Sequence, residues 1–430
     1  MIATIKKRLK TDFYKDSFWA LIGNVIFRGS GLVSSILLAR ILDKHIYGEF
    51  NSLKNTLTTL AIFTTFGLGY TSTKFVAESL SDGDSKKVIR KIYNIALVFS
   101  IIVSICIFIG AEDISTFYYN NTSFEGKIKI LSLWIVMLAL GTAQSGIIAG
   151  LRIFQKLTYV NISVGILTVI VIPICAFYYG IVGACVSLMI IQTINCFINH
   201  LLIRRTLQSV VTEPGKAIDY RKIIIYSLPL TLIEAIYSLC LWINYYLIQN
   251  NYDYGEVALY STAMQWYILL LFIPMVLRNV ILSYFSNNGQ SDDDNIFGHA
   301  ILLSFISTVI PSIIIVILAG LIENLYGKDF TGLANIIRLV SLIPLLSSVM
   351  NVMEQYLFSK SKNWTVFGLS FIKDGGTCIL FLMFIYTQHV ERAAFYLILS
   401  YLIMNAISFV IYAVIFFRKG LLKRRIISTP

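Results

Sequence analysis

Charged residues are scarce in this 430-residue chain, at 13% of the total, whereas hydrophobic residues make up 57%. A soluble globular domain carries about 25% charged residues, so the composition excludes an ordinary soluble protein. Long polar segments are missing as well, since no connection between apolar runs is longer than about 20 residues. The sequence therefore leaves no room for a large catalytic domain outside a membrane.

Motifs for metal, disulfide or nucleotide chemistry are also missing. The six cysteines lie inside apolar runs without a short pairing spacing, which is typical of small buried apolar residues. The four histidines have no metal-ligand spacing, and no Gly-x4-Gly-Lys-Ser/Thr loop occurs. We therefore expect no metal, no cofactor and no nucleotide hydrolysis within the chain.

Apolar runs of 20 or more residues recur from end to end, and each could cross about 30 Å of hydrocarbon. Residues 1–16 are polar and basic, and the first apolar run is too long for a cleavable signal peptide. We predict an all-α membrane protein with about twelve transmembrane helices, at residues 17–41, 51–72, 92–111, 128–150, 158–178, 181–203, 223–248, 257–282, 298–321, 332–357, 364–386 and 392–417.

The formal net charge of +12 follows the predicted membrane topology. With the N-terminus inside, the cytoplasmic segments hold 23 Lys and Arg residues, and the opposite side, counted with the adjoining ends of the predicted helices, holds five: Lys44, Lys127, Lys129, Lys328 and Arg392. This asymmetry is the positive-inside rule, which places both termini in the cytoplasm of a multi-pass inner membrane protein. The basic excess therefore indicates orientation, and we expect no nucleic-acid partner.

The two halves of the chain carry signs of duplication. The longest polar connection, 204–222, lies at the midpoint, and Tyr-Gly-Glu-Phe at 47–50 recurs as Tyr-Gly-Glu-Val at 254–257. Both tetrapeptides follow the first predicted helix of a half, which indicates parallel repeats, a transporter architecture with its cargo site at the repeat interface. We predict an N-terminal six-helix bundle, a cytoplasmic linker and a C-terminal six-helix bundle, at 1–205, 206–222 and 223–430.

Basic residues inside the apolar runs are the strongest functional signal. A charge in hydrocarbon costs roughly 2.5–3.5 kcal/mol and marks a partner, a wet cavity or a substrate. In the first predicted helix, Asn24, Arg28, Gly31 and Ser35 share one helical face. Arg28 lies roughly 16 Å along that helix. A planar guanidinium suits a phosphate group, so a cavity lined by these residues suggests an anionic cargo.

Glu234 lies equally far along the seventh predicted helix. Two interpretations are compatible: Arg28 holds an anionic head group while Glu234 takes up a coupling proton, or the two residues form a buried ion pair. Lys54, Lys74 and Arg278 are further candidates along a cationic path, although Lys54 and Lys74 could also extend to the membrane interface. Glu354 and Asp374 complete the candidates for proton or ion coupling, and the adjacent Lys373 could neutralise Asp374.

The stretch from Arg28 to Phe50, with Ala-Arg-Ile-Leu at 39–42 and the tetrapeptide at 47–50, resembles the start of Wzx-type polysaccharide-biosynthesis flippases. These belong to the multidrug/oligosaccharidyl-lipid/polysaccharide exporter superfamily. The resemblance implies a MATE-like fold, V-shaped, with a cationic central cavity lined by helices 1, 2, 7 and 8. It also implies movement of an undecaprenyl-diphosphate-linked oligosaccharide between leaflets, in O-antigen, capsule or exopolysaccharide synthesis. Partners would be bilayer lipids, a polysaccharide polymerase and a chain-length regulator.

Two other functions compete with a flippase. A cation-coupled exporter of small molecules would use Glu234 and Glu354 as carriers, with Arg28 structural. A membrane polymerase or glycosyltransferase would need an outer loop able to hold substrate, and the longest outer connection, 112–127, is short for that role. We therefore expect a transporter, not an enzyme, driven by the membrane potential or by a proton or sodium gradient.

Overall fold

The protein is described from a computed structural model, which covers residues 2–65, 67–82, 85–208, 220–275, 290–360, 362–388 and 392–418. Within these ranges the secondary structure is helical and contains no strand. The prediction of an all-α membrane protein is confirmed.

The first 82 residues form two helices, α1 (Ile2–Thr65) and α2 (Leu68–Asp82). α1 turns sharply at Asp43, whose φ of 63° and ψ of 172° are not helical. The Asp43 carboxylate accepts a hydrogen bond from the Ile46 N–H at 3.0 Å, which caps the second arm of the helix. The helix that contains the predicted span 51–72 therefore begins at the capped turn, eight residues before the predicted start of that span.

The rest of the first half consists of α3 (Ser85–Ile109), α4 (Glu125–Gly150) and α5 (Phe154–Gln208). α5 bends at Gly180, where a φ of 57° favours glycine, and this bend separates the predicted spans 158–178 and 181–203. The remaining helices are α6 (Tyr220–Asn251), α7 (Tyr254–Leu270), α8 (Gln290–Tyr326), α9 (Leu333–Val340), α10 (Ile343–Ser359), α11 (Asn363–Gln388) and α12 (Ala393–Arg418).

Two predicted spans differ from the observed helices. The run predicted at 51–72 is interrupted next to Gly67, whose φ of 58° is left-handed. The run predicted at 332–357 consists of α9 and α10, with Pro344 in the first turn of α10. Proline suits a first turn because its missing N–H is not needed there. Hydropathy alone does not detect such interruptions, since the residues on both sides remain apolar.

Eight helical segments of the described residues are long and apolar enough to cross a membrane. Two of them, Ile22–Thr65 and Phe154–Gln208, contain 44 and 55 residues, and they bend at Asp43 and Gly180. At 1.5 Å per residue each is about twice as long as the hydrocarbon is thick, so each has the length of two crossings. The total of twelve crossings stays a prediction.

Packing within the chain separates two compact units, Met1–Ser238 and Leu239–Pro430. In the first unit, a buried apolar cluster joins α2 to α5 and includes Phe75, Ile92 and Ile147. In the second unit, Phe297, Leu357 and Phe416 belong to a corresponding cluster of α8, α10, α11 and α12. The unit boundary falls inside α6, and the predicted linker at 206–222 lies largely outside the described residues. The predicted domain division therefore stays a prediction.

The repeated tetrapeptides hold helix ends together. Glu49 forms an ion pair with Lys127 at 3.7 Å, near the start of α4. Glu256 accepts a hydrogen bond from the Ala394 N–H at 2.8 Å, at the start of α12. Each glutamate thus anchors the N-terminal end of another helix in its own unit, where negative charge is favourable. The motif behind the resemblance is therefore structural at these positions.

Candidate functional site

The first arm of α1 has a packed face and a polar face. A side chain added at Gly23 would meet Thr158 Oγ1 at 2.8 Å, and one added at Gly165 would meet Ser30 Oγ at 2.5 Å. Small residues at these positions let α1 approach α5 closely, as is common between membrane helices. The face of α1 that carries Gly23 and Ser30 is therefore occupied by protein.

Arg28 lies away from that packed face. At about 100° per residue, the stripe of Asn24, Arg28, Gly31 and Ser35 lies about 80–140° around the helix from Gly23. Asn24 and Arg28 are half-buried, and Gly31 is exposed with no atom within 4 Å of an added Cβ. Ser35 is engaged structurally, because its hydroxyl is hydrogen-bonded to that of Tyr47. Ser35 is therefore part of the packing between the two arms of α1.

Lys54 lies on the second arm of α1, between the fully buried Leu53 and Leu57. Its side chain is half-buried, and its carbonyl accepts a hydrogen bond from Thr58 Oγ1 at 2.6 Å. Among the residues that the structure describes, the Lys54 ammonium has neither a hydrogen bond nor an ion pair. An ammonium ion within an apolar helix and without a described partner is a functional candidate by default.

The second arm of α1 also contacts α6. The Ser238 hydroxyl donates to Thr59 Oγ1 at 3.1 Å, and both residues are buried. Glu234 precedes Ser238 by one helical turn on the same side of α6, and its side chain is exposed. The contact thus fixes an acidic residue of α6 close to the arm that carries Lys54.

Helix lengths give the relative depths of these groups. The Ser35–Tyr47 hydrogen bond holds the two arms of α1 side by side. Arg28 and Thr59 lie 15 and 16 residues from the turn at Asp43, so both are about 22–24 Å from it. Measured along the helices away from this turn, Glu234 lies about 6 Å farther than the Thr59–Ser238 contact. Lys54 lies about 8 Å nearer to the turn than Thr59. Arg28 is therefore intermediate in depth between the ammonium of Lys54 and the carboxylate of Glu234.

The other basic candidates are placed differently. Lys74 is exposed on α2, with its ammonium 6.0 Å from the centre of the Phe75 ring. α2 packs closely on α4, where Thr73 Oγ1 donates to the Gly146 carbonyl at 3.2 Å. Arg278 lies outside the described residues. The structure therefore groups Arg28, Lys54 and Glu234 in the first unit and leaves Lys74 beyond the helix break at Gly67.

The acidic candidates of the second unit have protein partners. Lys373 Nζ lies 3.5 Å from Asp374 Oδ1, so the neighbouring charges form an ion pair. Glu354 Oε1 accepts a hydrogen bond from the buried Tyr412 hydroxyl at 3.3 Å. Asp374 and Glu354 therefore both contact other side chains of their own unit.

Sequence reasoning did not single out Asn55, Thr59 or Ser238 as a group. Asn55 follows Lys54, and its Nδ2 is buried without a hydrogen-bond partner among the described residues. A buried amide donor without a hydrogen-bond partner, on the same arm as Lys54, is a further candidate donor for an anion. The available signal was the density of polar residues between 51 and 59, but helical periodicity alone could not separate packed hydroxyls from accessible donors.

Chemically, the first unit offers cationic donors at membrane depth. A guanidinium and an ammonium ion bind phosphate oxygens strongly where water is scarce. Within the described residues, no cluster of three or more His, Cys, Asp or Glu residues could hold a metal ion. The arrangement is suited to holding an anion and has no evident nucleophile with an adjacent base.

Solved structures define the class of the fold. A multidrug resistance MATE transporter of the MOP superfamily, in an inward-facing conformation, aligns with a TM-score of 0.74 at 12% identity, covering 94% of this chain and 96% of that one. The lipid II flippase MurJ aligns with a TM-score of 0.72 at 15% identity, covering 94% and 88%. The chain thus has the MATE-like fold of this transporter superfamily.

The family follows from the sequence comparison. The model of the polysaccharide biosynthesis protein family matches residues 13–289, and the chain belongs to that family. The EPS I polysaccharide export inner membrane protein EpsE of Ralstonia solanacearum is 22% identical over 372 residues, covering 84% of both chains. The resemblance to Wzx-type flippases is confirmed.

Proposed function

We propose that this protein translocates an undecaprenyl-diphosphate-linked oligosaccharide repeat unit from the cytoplasmic leaflet to the periplasmic, outer leaflet by alternating access. The product would serve O-antigen, capsule or exopolysaccharide synthesis. The observation that carries the proposal is the pair of basic side chains at membrane depth on α1, Arg28 and Lys54, in a member of the polysaccharide biosynthesis family. The export role in the name of the Ralstonia relative also supports it.

In the proposed path, the basic residues bind the anionic cargo at different depths in the membrane. Arg28 takes the diphosphate with a bidentate grip, and Asn24, one turn away, donates a further hydrogen bond. Lys54 accepts the anion as it moves outward, and Lys74 and Arg278 act nearer the cytoplasmic side. The half-buried position of Arg28 and Lys54 supports these roles, because an anionic cargo lowers the cost of a cation in low dielectric.

The membrane potential favours this direction of transport. A diphosphate carrying about two negative charges gains roughly 4–5 kcal/mol per 100 mV when it moves outward from an inside-negative cell. A proton or sodium gradient would add to this, with Glu234 as the principal coupling candidate and Glu354 and Asp374 as further ones. No catalytic residue or cofactor is part of the proposal, which describes a transporter and not an enzyme.

The proposed setting is the bacterial inner membrane with both termini in the cytoplasm, as the distribution of Lys and Arg favours. Division into two six-helix bundles joined by the 206–222 linker completes this picture. Polysaccharide polymerase and chain-length regulator proteins are proposed as functional neighbours, since they would consume the translocated repeat units.

A complementation experiment tests the proposal. Deleting the gene should remove surface polysaccharide and make lipid-linked repeat units accumulate on the cytoplasmic side. Wild-type protein should restore export, whereas Arg28→Glu should not, because the cation that binds the diphosphate is replaced by a repelling charge. Arg40→Glu, on the same helix twelve residues further on and exposed, is the matched control and should restore export. Full export with Arg28→Glu at normal protein level would refute the cationic site.

A cation-coupled exporter of small molecules is the second candidate. The exposed carboxylate of Glu234 on a membrane helix and the likeness to a MATE multidrug transporter favour it. If deletion causes drug sensitivity and leaves surface polysaccharide and its lipid-linked precursors normal, the exporter function replaces the flippase function.

A further inference from the structure

A groove in the first unit has no part in the proposed transport path. It has a volume of about 840 Å³ and lies between α3, α4 and the second arm of α5. This volume is within the range of about 300–1,000 Å³ that small-molecule sites occupy. The helices of the groove differ from α1 and α6, which carry Arg28, Lys54 and Glu234.

The charges of this groove are concentrated at one end. Lys86 and Arg90 lie one turn apart near the start of α3, and Arg204 lies near the end of α5. All three side chains are exposed. They belong to, or border, the connections that the positive-inside rule assigns to the cytoplasm. The groove therefore has a cationic mouth at the predicted level of the inner-leaflet head groups.

The walls away from the mouth are apolar. Leu97 lies seven residues beyond Arg90 on α3, and Phe197 lies seven residues before Arg204 on α5, so both are about 10 Å deeper than the neighbouring cation. Phe197 of α5 and Val98 of α3 are 62% and 55% exposed, so both helices present an apolar outer surface. Because this surface belongs to membrane-crossing helices, the groove opens toward hydrocarbon.

The floor of the groove is firmly built. Gln144 of α4 is 2% exposed, and its Nε2 donates to the Cys196 carbonyl at 3.0 Å, which ties α4 to α5. The ring centroids of Tyr93 and His200 lie 5.9 Å apart in an edge-to-face contact, which ties α3 to α5. The three helices that form the groove are therefore linked by specific contacts along its length.

We propose that this groove binds an anionic phospholipid of the cytoplasmic leaflet. The phosphate and an acidic head group contact Lys86, Arg90 and Arg204, and one acyl chain lies against Leu97 and Phe197. Charge complementarity selects an anionic lipid, because three cations meet at the mouth and only one would be needed to neutralise the phosphate of a zwitterionic lipid. Basic sites between membrane helices on the cytoplasmic side are known to recognise such head groups. The proposal does not depend on the identity of the transported molecule.

Native mass spectrometry of the purified full-length protein tests this site, with phosphatidylglycerol and phosphatidylcholine titrated separately. We expect phosphatidylglycerol to bind more tightly, and Arg90→Gln/Arg204→Gln to weaken its binding about tenfold or more, given about 1 kcal/mol per basic residue near an anionic lipid. Lys87→Gln/Arg205→Gln removes the same charge from exposed neighbours that do not line the groove, and it should bind phosphatidylglycerol like wild type.

A second variant tests the groove without changing charge. Thr193 is exposed and lines the groove, so Thr193→Trp should fill it and reduce phosphatidylglycerol binding, whereas Ile190→Trp, three residues earlier and outside the lining, should not. Thermal unfolding of each variant verifies that it is folded. If Arg90→Gln/Arg204→Gln fails to fold, phosphatidylglycerol binding by Thr193→Trp is the test of the groove. Equal binding of the two lipids, equal losses in both charge variants, or unchanged binding in Thr193→Trp would each overturn the proposal. Stoichiometric displacement by a polyprenyl diphosphate would also overturn it, because the groove would then belong to the cargo.

Discussion

The two units of the protein treat charges inside their membrane helices differently. In the first unit, Lys54 is half-buried with no partner among the described residues, and Arg28 lies on the side of α1 that does not pack on α5. In the second unit, Lys373 is paired with Asp374, and Glu354 accepts a hydrogen bond from Tyr412. The desolvation cost of Lys373 is therefore offset locally in the second unit, whereas that of Lys54 in the first unit is left for another group to offset.

The difference indicates which charges serve the structure and which serve transport. A buried ion pair is strongly destabilised when one partner is removed, because the other charge is left uncompensated. A cation without a partner reduces stability instead, so its retention in the sequence requires another reason. Removing the charge of Lys373 should therefore lower both stability and transport, whereas removing the charge of Lys54 should raise stability and lower transport.

The largest expected effect is on the ion pair of the second unit. Lys373→Met leaves the carboxylate of Asp374, which is 5% exposed, without its partner, and should destabilise the protein by about 3–5 kcal/mol. Lys373→Met/Asp374→Leu removes both charges and should recover most of that loss. Thermal unfolding in a defined detergent measures both variants. A well-folded double variant that has lost gradient-driven transport would instead identify Asp374 as a coupling residue.

The next effect is on Lys54. Lys54→Met should reduce transport about 10- to 100-fold, because a hydrogen bond to a charged group is worth about 1.5–3 kcal/mol. The same variant should unfold at a higher temperature than wild type, since a desolvated charge has been removed. Transport of lipid-linked oligosaccharide into proteoliposomes and thermal unfolding give the two measurements.

Lys44→Met is the control for Lys54, because it makes the same chemical change beside the turn at Asp43, at the end of the helix arm. It should leave transport unchanged and produce no stabilisation. If Lys54→Met lowered stability and left transport intact, Lys54 would be a structural residue like Lys373, and the contrast between the two units would disappear.

A smaller effect concerns the two aspartates that cap helices after the first predicted span of each half. Asp253 accepts a hydrogen bond from the Glu256 N–H at 2.8 Å in an ordinary extended conformation, so Asp253→Ala should cost about 1 kcal/mol. Asp43 makes the equivalent bond at a φ of 63°, which alanine tolerates poorly. Asp43→Ala should therefore cost about 1–2 kcal/mol more than Asp253→Ala, by thermal unfolding. Equal costs would mean that alanine tolerates the conformation of residue 43 as well as aspartate does.

The smallest effect is on Glu354. Glu354→Gln keeps an acceptor for the Tyr412 hydroxyl, so its cost should be about 1 kcal/mol or less. Transport by Glu354→Gln should remain sensitive to a pH gradient, whereas Glu234→Gln should lose that sensitivity if the exposed acid of α6 carries the proton. The opposite result would indicate that Glu354, in the second unit, is the coupling residue.

Much of the helical layout was predictable from the sequence. The break at Gly180 lies between two runs that hydropathy already separated, and the turn at Asp43 follows an apolar run ending near residue 41. The interruption next to Gly67 was not predicted, because a single left-handed glycine does not change the hydropathy around it. The site was predicted only as candidate residues. Arg28 and Glu234 stand out in the sequence, but Asn55 and the Thr59–Ser238 contact do not.

The class of protein follows from composition alone, since long apolar runs and few charges leave a helical membrane protein as the stable outcome. The sequence also indicates which residues are energetically costly in a membrane, because the cost of a charge in hydrocarbon depends on residue type and depth. What happens to a costly residue whose partner lies on another helix depends on packing. Packing gave Glu354 the Tyr412 hydroxyl, and it left Lys54 between Leu53 and Leu57 with no partner among the described residues. Helix packing separates Glu354 from Lys54, because a partner on another helix is specified by how helices pack and not by helical periodicity, whereas the partner of Lys373 is the next residue in the chain.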